Sequence, residues 1–192
     1  MRTDSVAQPA GALTLRGRCY LLGHDVPHMG GVVPMRVVTE MRYEPKEIIP
    51  HLFEETDPGF AERSRPGDII VTGRNFGMGP KMQGYIAMRA LGLGLVCESM
   101  PFLAYREAIG LGLPVLTGCS DVTRHCDTGD DLEIDFIAGR FINHSRGLDL
   151  RYPGVPDALR EIVLLGGTTE WLRRWWAQRS PSTTVGNEHE SD

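Results

Sequence analysis

Two stretches of this 192-residue chain gather side chains able to do chemistry. The first, Gly73-Arg74-Asn75-Phe76-Gly77-Met78-Gly79, follows the apolar run Ile69-Ile70-Val71 and leads to Lys81 and Gln83. A glycine-rich loop that leaves a strand and opens a helix turns backbone N–H groups toward one spot, where the helix dipole adds positive potential. Glycine also lets the backbone approach a ligand closely. Such a place suits a carboxylate or a phosphate, with Lys81 supplying a full positive charge; the same glycines serve a plain turn equally well. Neither the GxGxxG nor the GxxxxGK[ST] spacing is present, and Pro80 separates Gly79 from Lys81, so nucleotide binding is disfavoured. The second stretch, residues 24–31, holds His24, Asp25, Pro27, His28 and two glycines. An unperturbed imidazole titrates near neutrality, which makes His28 a candidate acid or base; a loop histidine without a defined partner is more often a bystander.

The four cysteines, Cys19, Cys97, Cys119 and Cys126, contain no CxxC pair. Zinc and iron–sulfur centres want closely spaced thiolates, so this chain is expected to bind no metal and to keep its thiols reduced. Cys119 and Cys126, with His125 beside them, are the nearest approach to a cluster.

The elements that position these residues read as an α/β arrangement. Residues 14–22 alternate and run into Gly23, as a strand entering a turn does, and residues 35–39 read as a second short strand. Residues 44–51 are helix-like, with Pro45 where a first turn tolerates it. Residues 57–59 make a turn or helix start, and Arg65-Pro66-Gly67-Asp68 a tight turn. The run 69–71, a helix over 81–91, a strand at 95–97, a helix over 101–111 and a strand at 113–116 imply parallel pairing with right-handed crossovers. Residues 132–138 and 140–143 read as a hairpin, followed by helices over 156–165 and 168–178. Residues 1–13 and 180–192 are polar and read as disordered tails around one domain, 14–179.

Composition narrows the partners. With 20 basic against 25 acidic side chains and a net charge of −5, nucleic-acid binding is not the chain's main business. No apolar run approaches the ~20 residues that span a bilayer, and the start lacks the apolar stretch of a signal peptide. A cytoplasmic protein without membrane contact is expected.

The segment from Pro66 to Gly79 resembles the signature of the aconitase superfamily's swivel domain, most closely the 3-isopropylmalate dehydratase small-subunit family, whose core reads G-D-I-I-V-x-G-x-N-F-G-x-G. Residues 99–114 align without a gap to the family stretch S-F-A-R-I-F-x-R-N-A-I-N-x-G-L-P, keeping Ser99, Arg106, Ala108, Ile109, Gly112, Leu113 and Pro114. Gly129-Asp130 and Gly166-Gly167-Thr168 also fall where the family has them, so the resemblance spans about residues 15–175. It implies a swivelling β/β/α domain, with a mixed sheet and flanking helices, that docks on a large subunit carrying a [4Fe–4S] cluster. It further implies removal and re-addition of water on a hydroxy di- or tricarboxylic acid, with no cofactor on this chain.

The chain departs from the family where that chemistry sits. The family loop continues G-S-S-R-E-H, its serine a base and its arginine a grip on a substrate carboxylate; here Pro80-Lys81-Met82-Gln83-Gly84 follows Gly79. The front loop lacks the family's Thr-Asp pair, and Phe102, Glu107 and Gly110 replace an arginine and two asparagines. On this resemblance Lys81 and His28 are the candidate catalytic groups, with Asn75, Gly77, Met78, Gly79, Gln83 and Arg106 the candidate substrate contacts. Lys81 lacks the bidentate fork of a guanidinium and acts either as a point charge or, with a lowered pKa, as a base. The main expectation is a small subunit with an altered substrate. The alternative is a non-catalytic, structural or regulatory swivel-like partner that has lost the serine and arginine.

Overall fold

The computed structural model describes residues 13–79 and 81–179. The tails expected at 1–13 and 180–192 lie outside the described residues except for Leu13, which packs against the core and accepts the Phe136 N–H at 3.0 Å.

Seven strands, β1 (Thr14–Leu21), β2 (Ile69–Thr72), β3 (Gly94–Cys97), β4 (Val115–Leu116), β5 (Asp131–Asp135), β6 (Arg140–Asn143) and β7 (Leu148–Arg151), form one mixed sheet in the order β4-β3-β2-β1-β5-β6-β7. From β1 to β4 all pairings are parallel, with Cys19 opposite Ile69 and Ile69 opposite Gly94. On its other edge β1 pairs antiparallel with β5, Leu15 opposite Ile134, and β5, β6 and β7 continue antiparallel. β1 is therefore the seam between the two halves.

Five helices lie between the strands, α1 (Met35–Thr39), α2 (Pro45–Ile48, extended by a 3-10 turn Ile49–His51), α3 (Phe60–Arg63), α4 (Gln83–Ala90) and α5 (Phe102–Gly110), and two follow β7, α6 (Asp157–Leu164) and α7 (Thr168–Arg179). β2 and β3 are buried along their whole length, as parallel strands covered on both faces are. Their side chains alternate between two apolar layers. Ile70, Leu95 and Val115 join Phe53, Phe60, Tyr85 and Met88 on the helical face. Ile69, Val71, Val96 and Leu116 join Leu132, Ile134, Phe136 and Phe141, contributed by the antiparallel half. The layers are β/β/α, the class implied by the resemblance. Each such large side chain contributes about 1.5–3 kcal/mol on burial.

The tight turn before β2 is held by Asp68, whose carboxylate accepts the backbone N–H groups of Arg18 (2.8 Å) and Arg65 (2.8 Å) and the Arg18 guanidinium (3.1 Å). This fixes where β2 starts, and so where its exit loop ends up.

Three local readings change. Residues 35–39 are helix α1, not a strand. The β-branched run Val37-Val38-Thr39 suggests extension, but both valines are buried, and neighbouring strand side chains would point to opposite faces. The strand expected over 132–138 stops at Asp135, whose Oδ1 accepts the N–H groups of Ile137 and Ala138 and turns the chain. β7 was not expected; it is a half-exposed edge strand of mixed polar and apolar residues.

Candidate functional site

The loops leaving β1, β2 and β3 meet at the carboxyl ends of the parallel strands, the edge at which open α/β sheets bind ligands. The β2 loop is tied to both neighbours. Asn75 and Phe76 donate their backbone N–H groups to Ser99 Oγ (3.1 Å) and Ser99 O (3.0 Å) after β3. Gly77 N–H reaches Val26 O (2.8 Å) and His28 N–H reaches Met78 O (2.9 Å) in the β1 loop. Pro27 and Met78 pair as a parallel bridge. His24 Nδ1 accepts the Arg74 N–H at 3.0 Å, and its ring fills the space a side chain at Gly73 would need.

Asn75 and Asp25 both take left-handed backbone conformations (φ 57° and 56°), and the Asn75 amide donates to Asp25 Oδ1 at 2.7 Å. Both are exposed at the rim of the site. Gly77 is buried at φ 75° directly above the Tyr85 hydroxyl; Gly79, at φ 102°, turns the chain toward α4. Met78 is 38% exposed between them.

His28 is completely buried. Its Nε2 accepts the Gly84 N–H at 3.1 Å, one of the donors that the start of a helix leaves without an intrahelical partner. Gly84 is required here, because a Cβ would press on Val32 and on the imidazole. The His28 ring meets Tyr85 edge-on at 5.0 Å. Burial, with a smaller contribution from the Lys81 charge, pushes the imidazole down to about 4, so the histidine is neutral at pH 7, and does not titrate near neutrality. Its accepting Nε2 leaves the proton on Nδ1, which has no hydrogen-bond partner among the described residues.

Lys81 is half-buried, and its charge acts on His28 and on Glu107. Burial raises the Glu107 carboxyl, against the lowering pull of Arg106 and Lys81, and one of its oxygens is enclosed without a partner. Gln83, 2% exposed, opens α4 with its Oε1 likewise unpartnered. Burial and the nearby Glu107 hold the Tyr85 phenol well above its ordinary range. Arg106 is exposed; with Phe102, Tyr105 and Ile109 it lines an apolar groove of about 280 Å³ between α5 and α6. No hydrogen bond or ion pair joins it to the glycine loop among the described residues. The loop therefore gathers His28, Asn75, Gly77, Met78, Gly79, Lys81 and Gln83, and leaves Arg106 to one side.

Sequence reasoning missed Tyr85 and His24. The helical spacing of Tyr85 marks it as core, which it is; only the folded loop brings its hydroxyl under Gly77.

No family model matches the chain. Whole-length relatives do. The chain is 32% identical over 160 residues to the 3-isopropylmalate dehydratase small subunit 2 of Archaeoglobus fulgidus, covering 82% of this chain and 94% of that one. It is 34% identical over 162 residues to the 3-isopropylmalate dehydratase small subunit 1 of Methanopyrus kandleri, covering 83% and 93%. The chain belongs to the 3-isopropylmalate dehydratase small-subunit family. A crystal structure of 3-isopropylmalate dehydratase from Methanocaldococcus jannaschii superposes with a TM-score of 0.78 at 26% identity, over 86% of this chain and 97% of that one.

Within this family the replaced loop acquires a specific geometry. The fifth residue after Gly79 is a glycine, Gly84. The imidazole of His28, arriving from the β1 loop, packs against that glycine and bonds its N–H. The four cysteines are all buried and free, divided between the two apolar layers. Among the described residues no group of three or more His, Cys, Asp or Glu side chains is arranged to hold a metal. This donor set does not fit an iron–sulfur cluster, and no step of the chemistry is assigned to one on this chain. No described helix is long and apolar enough to cross a membrane.

Proposed function

We propose that this chain is the small subunit of a two-subunit aconitase-type hydro-lyase. Together with a large subunit bearing a [4Fe–4S] cluster, it completes a site that dehydrates and rehydrates a hydroxy di- or tricarboxylic acid. The observation that carries this reading is the retained Asn75-Phe76-Gly77-Met78-Gly79 loop, held at the carboxyl edge of the sheet with a cation, Lys81, at its exit. A Lewis acid on the large subunit would activate the leaving hydroxyl.

In this reading the start of α4 and the Lys81 ammonium bind a substrate carboxylate. Lys81 Nζ takes the proton from the substrate carbon as the neutral amine in the dehydration and returns it as the ammonium in the rehydration, in the place of the family serine; the ammonium form is the one that pairs with the carboxylate. His28 is a positioning residue: with its Nε2 engaged and its ring enclosed, it holds α4 and the Lys81 loop in register. Asn75, braced by Asp25, and the backbone at Gly77, Met78 and Gly79 shape the floor, and Gln83 Oε1 offers an inward acceptor. The missing arginine and the exposed Met78 point to a substrate preference different from that of the typical relative. Four buried free thiols accord with a reducing, cytoplasmic setting.

Co-expression with the cognate large subunit, followed by anaerobic assay against a panel of hydroxy acids, tests the reading. Turnover should need both chains, the small subunit alone should be inactive, and Lys81→Ala should lower kcat by about 100-fold or more. Turnover by the large subunit alone at the same rate would overturn the two-subunit reading. Unchanged kcat and KM in Lys81→Ala would overturn the residue assignment.

A further inference from the structure

Phe102, Tyr105, Arg106 and Ile109 recur along α5 at the spacing that brings side chains to one face of a helix. With Leu159 and Ile162 of α6 they enclose a groove of about 280 Å³. Gly110, the last residue of α5, leaves room at one end of it. A Cβ on Gly110 would meet only the Thr168 hydroxyl, at 3.5 Å. The other face of α5 belongs to the glycine loop: Ala104 lies 3.8 Å from where a Cβ on Gly77 would stand. The thickness of one helix therefore separates the groove from the hydro-lyase site, which does not explain it.

The walls and their single charge indicate what the groove takes. Ile109 is buried, and Tyr105, Leu159 and Ile162 are half-buried, so the floor is apolar. Arg106 is the one charged residue in the lining, and its guanidinium is exposed. Among the described residues no hydrogen bond or ion pair engages it. Glu107, next in sequence, feels the Arg106 charge but is turned about 100° around the helix and makes no ion pair with it. Apolar walls with one polar group to fix orientation are the make-up of a small-molecule site. A guanidinium presents a planar fork that fits a carboxylate.

We propose that the groove between α5 and α6 binds a small monocarboxylate with an apolar tail of about five or six carbons, its carboxylate on Arg106 and its tail against Ile109, Leu159 and Ile162. A second carboxylate would meet only apolar wall and lose its hydration there. The ligand is thus of a different class from the di- and tricarboxylic acids of the hydro-lyase reading, and the proposal does not depend on that reading. With so few ligand atoms, the dissociation constant is on the order of 1 mM.

Calorimetric titration of the full chain with hexanoate, hexanamide and acetate, up to about 20 mM, tests this, with the methyl NMR signals of Ile, Leu and Met residues followed in parallel. Hexanoate should saturate and shift the methyl signals of Ile109, Leu159 and Ile162. Hexanamide, which lacks the charge, and acetate, which lacks the tail, should each bind at least about tenfold more weakly. Arg106→Gln should weaken hexanoate by a similar factor. Gly110→Leu places a side chain in the groove at a helical position, so it should abolish binding while the far-ultraviolet dichroism spectrum stays unchanged. Equal binding of hexanoate and hexanamide overturns the proposal, as does the absence of saturation across that range. So does a hexanoate response indifferent to Gly110→Leu. Shifts confined to Met78 would place the ligand at the glycine loop and overturn it as well.

Discussion

The Nε2 of His28 accepts the Gly84 N–H at 3.1 Å, so a side chain from the loop after β1 secures the first turn of the helix after β2. It adds to the bonds that already join the two loops carrying the candidate chemistry. His28→Ala should remove the acceptor and leave a cavity beside Tyr85 and Val32, costing about 2–4 kcal/mol in urea unfolding. A loss below about 0.5 kcal/mol would contradict the positioning role.

The same burial gives stability a pH dependence. In the unfolded chain His28 titrates near its ordinary value of 6.5, and in the folded protein at about 4. Between these values the unfolded state binds more protons, so stability rises with pH. The contribution is complete above about 6.5, declines as pH falls toward 4, and levels off below that. It amounts to about 3 kcal/mol. Urea midpoints at pH 7.5, 5.5 and 4.5 should fall in that order for the native chain. His28→Gln should flatten this part of the curve.

Much of this architecture is legible in the chain. The apolar run 69–71 followed by glycines, and the helical spread of Met82, Tyr85, Ile86 and Met88, mark β2, its exit loop and α4 without any contact information. What remained hidden depends on tertiary contacts. Residues 35–39 carry strand propensity, but two adjacent valines are both buried, which a short helix permits and a half-buried strand does not. His28 reads as a titrating loop residue because sequence does not reveal that Gly84 opens a space for its ring. Lys81 and Gln83 could be found from their place after the glycines, whereas the Tyr85 hydroxyl beneath Gly77 could not.

Asp68 should prove the strongest anchor outside the apolar core. It is 2% exposed and accepts two backbone N–H groups and one guanidinium. Asp68→Ala leaves two backbone donors unpaired beside β1 and should cost about 3 kcal/mol; Asp68→Asn, which keeps one acceptor, should cost about half of that. The comparison is made by urea unfolding at pH 7. Equal losses in the two variants would mean that the charge, rather than the acceptor count, holds the turn.

Gly77 and Tyr85 provide a test of the loop itself. Gly77 has φ 75°, and a Cβ there would overlap the Tyr85 hydroxyl, which is buried without a partner. Gly77→Ala therefore carries both backbone strain and a steric clash, and should destabilise by about 2–4 kcal/mol. Tyr85→Phe removes an unpaired buried oxygen and should be neutral or slightly stabilising, within about 1 kcal/mol. If the hydroxyl is the obstacle, the double variant should recover about 1 kcal/mol or more relative to the sum of the single changes, a coupling expected of groups in contact. The strain at φ remains in the double variant, so recovery is partial. Strict additivity of the two changes would place the whole cost of Gly77→Ala in the backbone and none in the tyrosine beneath it.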